Sequence, residues 1–132
     1  MLNLFKGKKE GETPLKVSLD VNEVQTVDYA TLELINPKTG QLSGSTITLY
    51  SHLSKEFYRA KKEVLKLNGG LDESFYQTEL LTRVTKEING FMENGKPLES
   101  NEENIRILYQ SLYIRDEADT FLSNINNFFL NK

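Results

Sequence analysis

The spacing of apolar and polar positions changes once along the chain, from a period of two to a period near 3.6. Ala30, Leu32 and Leu34 recur at every second position within Thr26–Ile35, the spacing of one face of a strand. Asn36-Pro37-Lys38-Thr39-Gly40 breaks this run: proline pre-sets φ, and glycine accepts the positive φ that a turn needs. Ile47 and Leu49 mark a second strand over 45–50, so the two runs read as a hairpin, and Lys16–Asp20 offers a third strand. After Tyr50, Leu53, Phe57, Ala60, Val64 and Leu67 fall in steps of four, three, four and three, the stripe of an amphipathic helix. Ser51 or Ser54 caps its start and Asn68-Gly69-Gly70 stops it. With Asp72 as the next cap, Leu81, Val84, Ile88 and Phe91 predict a second helix, ended by Asn94-Gly95-Lys96-Pro97. Ser100-Asn101-Glu102-Glu103 matches a capping box ahead of a short helix carrying Ile105, Leu108, Tyr109 and Leu112. A last helix carries Ile114, Ala118, Phe121, Leu122, Ile125, Phe128 and Phe129.

Strands first and helices after predict an α+β fold: an N-terminal β-hairpin or small antiparallel sheet, then a bundle of about four α-helices. Residues 6–13 are rich in Lys, Glu and Gly and have nothing to bury, so 1–14 read as a flexible N-terminus in which Leu2, Leu4 and Phe5 fray. Residues 15–132 then form one domain, with a β-rich part over 15–50 and a helical part over 51–132. At 132 residues the chain supports one core, and its 38% hydrophobic and 10% aromatic content is too high for a disordered polymer. A net charge of -3 argues against a nucleic-acid partner, which calls for a basic excess. The lack of cysteine excludes disulfides, thiolate metal sites and cysteine nucleophiles. No run approaches the roughly 20 apolar residues of a membrane span, and no leader pattern opens the chain, so the expectation is a cytoplasmic protein without membrane contact.

Candidate chemistry is sparse. His52, the one histidine, stands beside Ser51 and Ser54 without a nucleophile-elbow motif, and a capping role explains it better than catalysis. One His and no Cys leave zinc only carboxylates. Gly69-Gly70 lacks the flanking residues of a phosphate cradle and reads as a helix-to-helix turn. Asp116, Glu117 and Asp119 are the densest carboxylate group; Asp116 and Asp119 share a helix face, and negative charge suits a first helical turn. No catalytic residue, metal or cofactor is therefore assigned. Charge is instead polarised. Lys55, Arg59, Lys62 and Lys66, spaced four, three and four, make a basic face, while Glu99–Asp119 holds six acidic residues against two basic ones. Such faces pack against each other within one molecule, or stack neighbouring copies into a homo-oligomer. Phe128-Phe129-Leu130 cannot all face one side of a helix, so part of this group is offered to a partner groove. The partner-binding candidates are thus Lys55, Arg59, Lys62, Lys66, Asp116, Asp119, Phe128 and Phe129.

Residues 28–129 resemble the tail assembly chaperones of long-tailed bacteriophages. The likeness runs through Asn36-Pro37-Lys38-Thr39-Gly40, through Ser51–Ala60, and most specifically through the C-terminal stretch. There Ile88-Asn89-Gly90-Phe91 precedes Asn94-Gly95-Lys96-Pro97-Leu98, then Ser100–Tyr109, Tyr113–Leu122 and a closing Asn127-Phe128-Phe129. The family often carries Trp near Ile88 and at Tyr113, and this chain has none. The resemblance implies a non-enzymatic factor of the infected host cytoplasm that coats the tape-measure protein and helps recruit tail-tube subunits. Two alternatives stand beside it: a structural tail or head–tail connector subunit, and a small hydrolase or metal enzyme using His52 or the carboxylates at 116–119.

Overall fold

A computed structural model describes residues 17–67 and 72–130. The expected flexible N-terminus over 1–14, Lys16 and the Asn68-Gly69-Gly70 stop lie outside the described residues. Strands β1 (Tyr29–Ile35) and β2 (Leu42–Tyr50) pair antiparallel, with Ala30 opposite Leu49 and Leu32 opposite Ile47. The alternation thus puts every second side chain on one face, where Leu34, Ile47 and Leu49 are buried. Asn36 holds the turn, its Oδ1 accepting from the Lys38 N–H at 2.9 Å. Helix α1 (Lys55–Leu65) starts at Ser54, whose Oγ accepts from the Phe57 N–H at 3.2 Å, and it buries Ala60 and Val64. Helix α2 (Glu73–Val84) starts at Asp72, whose Oδ1 accepts from the Phe75 N–H at 3.0 Å.

The second helix does not run on to Phe91. It stops at Val84, and strand β3 (Thr85–Asn89) adds to the free edge of β2, with Ile88 opposite Ile47. This is the third strand; Val17–Asp20 form none. Two local features favour the change. Thr85 Oγ1 bonds back to the Leu81 carbonyl and to the Tyr109 hydroxyl, each at 2.7 Å, which fixes the end of α2. The edge of β2 offers backbone groups that β3 satisfies. Beyond it β4 (Met92–Glu93) and β5 (Lys96–Pro97) form a two-residue hairpin at Asn94-Gly95, both with positive φ (52° and 81°).

Helix α3 (Glu102–Leu108) is capped by Asn101, not by Ser100: Asn101 Oδ1 accepts from the Asn104 N–H at 2.9 Å. Ser100 Oγ instead accepts from the Ile88 N–H at 3.0 Å and ties the loop to β3. Helix α4 (Leu112–Ser123) is capped by Ser111 and ends before Asn124, which opens a separate 3₁₀ turn over Ile125–Phe128. The last helix is therefore shorter than the spacing of its apolar residues predicts.

The fold is α+β: a three-stranded antiparallel sheet in the order β1-β2-β3, with four α-helices among the described residues. One cluster of buried side chains joins them, drawing Ile47 and Leu49 from the sheet, Leu81 from α2, Ile105 from α3, Leu122 from α4 and Phe128 from the final turn. Because β3 lies within 51–132 and pairs with β2, the β-rich and helical parts share this core across the boundary at Tyr50. Tyr109 is fully buried, which pushes its phenol well above its ordinary pKa, with the Thr85 hydrogen bond offsetting part of the rise.

A buried carboxylate clamps the helices. Glu79 of α2 accepts from Arg106 Nε of α3 at 2.9 Å and pairs with Arg83 on its own helix. Arg83 also reaches Glu63 of α1 at 3.5 Å, and Arg106 reaches Glu102 at 3.1 Å. The Arg106 hydrogen bond is the main cause holding the Glu79 carboxyl below its usual pKa, against an opposing push from burial. The guanidinium of Arg106 is correspondingly held above its ordinary value.

Candidate functional site

Helix α2 packs against α1, α3 and α4, and the space left beside α2 and α4 is an open groove of about 790 Å³. Leu80, Leu81 and Leu122 contribute to its apolar lining, together with Tyr76, Leu112 and Leu65 from the end of α1. Leu65 and Leu112 are largely exposed, at 62% and 72%, so apolar area stands open to water there. Glu73 and Asp119 also line the groove. Asp116, one turn before Asp119 on α4, is exposed.

Arg115 lines the same groove and is only 8% exposed. Its Nε donates to the Tyr109 carbonyl at 3.0 Å and its Nη1 to Ser74 Oγ at 2.8 Å, so it fastens α4 to the start of α2. Two donors of this guanidinium serve the fold, and Glu73 and Asp119 outnumber its single positive charge along the groove. An apolar trough bordered by carboxylates is suited to the apolar stripe of an amphipathic helix flanked by Lys or Arg.

The sequence-predicted residues divide into three groups. Lys55, Arg59, Lys62 and Lys66 are all exposed along α1 and its last turn, and none joins an ion pair among the described residues. Asp116 and Asp119 are on α4, with Asp119 in the groove; the first turn of α4 holds no acidic residue, so the helix dipole does not account for them. The two charged faces do not pack on each other, because α2 rather than α4 is the main neighbour of α1.

Phe128 corrects the expectation of a partner contact. It is fully buried and meets the Phe121 ring edge-on at 5.6 Å between centroids, so it belongs to the core. Phe129 is half-buried and bridges Thr26, while Leu130 is exposed at 59%. Among the described residues no group of three His, Asp or Glu side chains is placed to hold a metal ion, so Asp116, Glu117 and Asp119 do not converge. His52 packs edge-on against Phe57 at 6.5 Å. The neighbouring hydroxyls are engaged elsewhere: Ser54 Oγ donates to the Ser51 carbonyl at 2.6 Å, and Ser51 Oγ accepts from the Leu53 N–H at 3.0 Å.

Leu65 and Tyr76 were not singled out by the sequence pattern, and Leu112 was named only in the apolar stripe of the short helix. Leu65 carries a legible signal, since it falls off the buried stripe of α1 and is an apolar residue on a polar face. Leu112 fits the stripe Ile105, Leu108, Tyr109, but Ser111 caps a new helix just before it and turns it outward. No helix among the described residues is long and apolar enough to cross a membrane. Compared with family models, curated proteins and solved structures, the chain matches none.

Proposed function

We propose that this protein is a non-enzymatic assembly chaperone of a long bacteriophage tail, acting in the host bacterial cytoplasm. It binds the tape-measure protein and helps recruit tail-tube subunits. The reading starts from the ordered series of motifs between Asn36 and Phe129, and the one structural observation that carries it is the open apolar groove beside α2 and α4. A tape-measure protein is a long helical client whose apolar stripes need cover before assembly. The groove offers that cover one helix at a time, and Glu73, Asp116 and Asp119 select stripes flanked by basic residues.

Co-expression with a tape-measure protein tests this. The client becomes more soluble, the two are captured together, and Leu112→Asp lowers capture at least tenfold while leaving the fold intact, because Leu112 is exposed. Absence of any complex at both low and moderate salt overturns the reading.

One observation favours a second reading, a structural subunit kept in the virion. Tyr29, Ile35 and Leu42 on the outer face of the sheet are 48%, 46% and 66% exposed, and a permanent subunit contact would cover such a face. Mass spectrometry of purified particles separates the two: a chaperone is absent, and a structural subunit is present in fixed copy number.

A further inference from the structure

Two exposed apolar patches on this molecule carry opposite charge. The first is the arm ahead of β1. Val17 and Leu19 are each 82% exposed and Val21 is 68% exposed, at alternate positions of the chain. Asp20 and Glu23 make the arm acidic. The arm has a defined shape: Asp20 Oδ1 accepts from the Asn22 N–H at 2.9 Å, and Gln25 Nε2 donates to the Val21 carbonyl at 2.8 Å. Its base is anchored, the Val27 N–H donating to the Phe128 carbonyl and the Leu130 N–H to the Gln25 carbonyl, both at 2.8 Å.

The second patch is the outer face of α1. Tyr58 and Leu65 are 61% and 62% exposed and stand two turns apart on one side, with Lys62 between them. Lys55, Arg59 and Lys66 flank this row, and Leu53, 49% exposed, prolongs it.

We propose that the arm of one copy lies along the outer face of α1 of a second copy, and that the exchange is mutual, closing a two-fold dimer. The charges decide the occupant: an apolar row bearing carboxylates meets an apolar row bearing lysines. Each copy carries one arm and one such face, so a mutual exchange satisfies both at once and closes the contact as an isologous pair. The basic face is thereby satisfied by the arm and not by Asp116 and Asp119, so copies do not stack head to tail through α4. The inference does not depend on the chaperone reading, because the charges of the arm and of α1 carry it; Leu65 also borders the groove beside α2 and α4, so the arm covers one rim of that groove.

Analytical ultracentrifugation of the full chain with two charge-reversed variants tests it. One carries Asn22→Lys with Glu23→Lys, which turns the arm basic while leaving the Asp20 carboxylate in place; the other carries Lys55→Glu, Arg59→Glu and Lys62→Glu, which turns the face of α1 acidic. All five positions are exposed, and circular dichroism confirms that each variant is folded. The natural chain sediments as a dimer of 15.1 kDa subunits, each variant alone is a monomer at the same concentration, and an equal mixture of the two is again a dimer. The mixture recovers because both of its arm-to-helix contacts are of opposite charge. A natural chain that is monomeric at its highest soluble concentration overturns the proposal. So does one that grows without limit, a variant that stays dimeric alone, or a mixture that stays monomeric.

Discussion

Gly90 is the residue at which the backbone leaves the least room. Its φ is +79°, and a Cβ placed on it lies 2.7 Å from the Gly44 carbonyl oxygen. Gly95 has a similar φ of +81° with open space around it. Gly90→Ala therefore carries both the left-handed cost of about 1–2 kcal/mol and a clash with main chain, whereas Gly95→Ala carries only the first. Urea unfolding of the two variants should rank Gly90→Ala as clearly the less stable. Glu79 is the residue-scale test of the charge clamp. Removing its charge leaves two arginines without their shared partner, and Glu79→Gln should cost about 2 kcal/mol, below the ~3–5 of a fully buried pair because Arg106 is part-exposed. The sign with pH follows from the lowered pKa. The stabilisation is complete above the unfolded carboxylate value of about 4.3 and is lost as pH falls through the lower folded value, so the gap between natural and variant chains closes in acid. Residue identities foretold two caps, Asp72 and Ser54 (the latter as one of two candidates), because a side-chain oxygen at a helix start acts over three residues; they misassigned the third, where Asn101 and not Ser100 caps α3. They misplaced Phe128, since its neighbour Phe129 has the same chemistry and only the 3₁₀ turn decides which ring points inward.

At the scale of elements, β3 is the most instructive. Leu81, Val84 and Ile88 are spaced three and four, so a helix continuing through Ile88 and a strand starting at Thr85 bury the same residues. Periodicity cannot separate the two, and the choice falls to a distant partner, the free edge of β2. The hairpin of β1 and β2 was legible because its alternation, turn and partner lie close together in the chain, and α1 was legible because its stripe is long. Ile88 pairs with Ile47 and is 2% exposed, so Ile88→Ala should lower stability by about 2–5 kcal/mol. Denaturant titration followed by circular dichroism checks this, and a loss under about 0.5 kcal/mol, the range of surface substitutions, would mean that β3 is peripheral.

For the whole molecule, the α+β class could be read from the order of periods, while the groove could not. It forms where the end of α1, one side of α2 and one side of α4 from Leu112 to Leu122 come together, three segments whose residues read separately as ordinary helix surface. Leu112 is an exposed apolar position only once the helices are placed, whereas Leu65 already stands off the stripe of α1 in the sequence. The charge asymmetry was visible in the sequence, but its geometry was not, since α1 and α4 are each packed on α2. On the proposed function, this groove takes a helix of the tape-measure protein, and hydrogen exchange of the purified chain with and without that client tests it. Exchange should slow in Glu73–Leu81 and Leu112–Leu122, and Leu112→Asp should abolish the effect. Unchanged exchange in these two stretches, with the client demonstrably bound elsewhere, would contradict it.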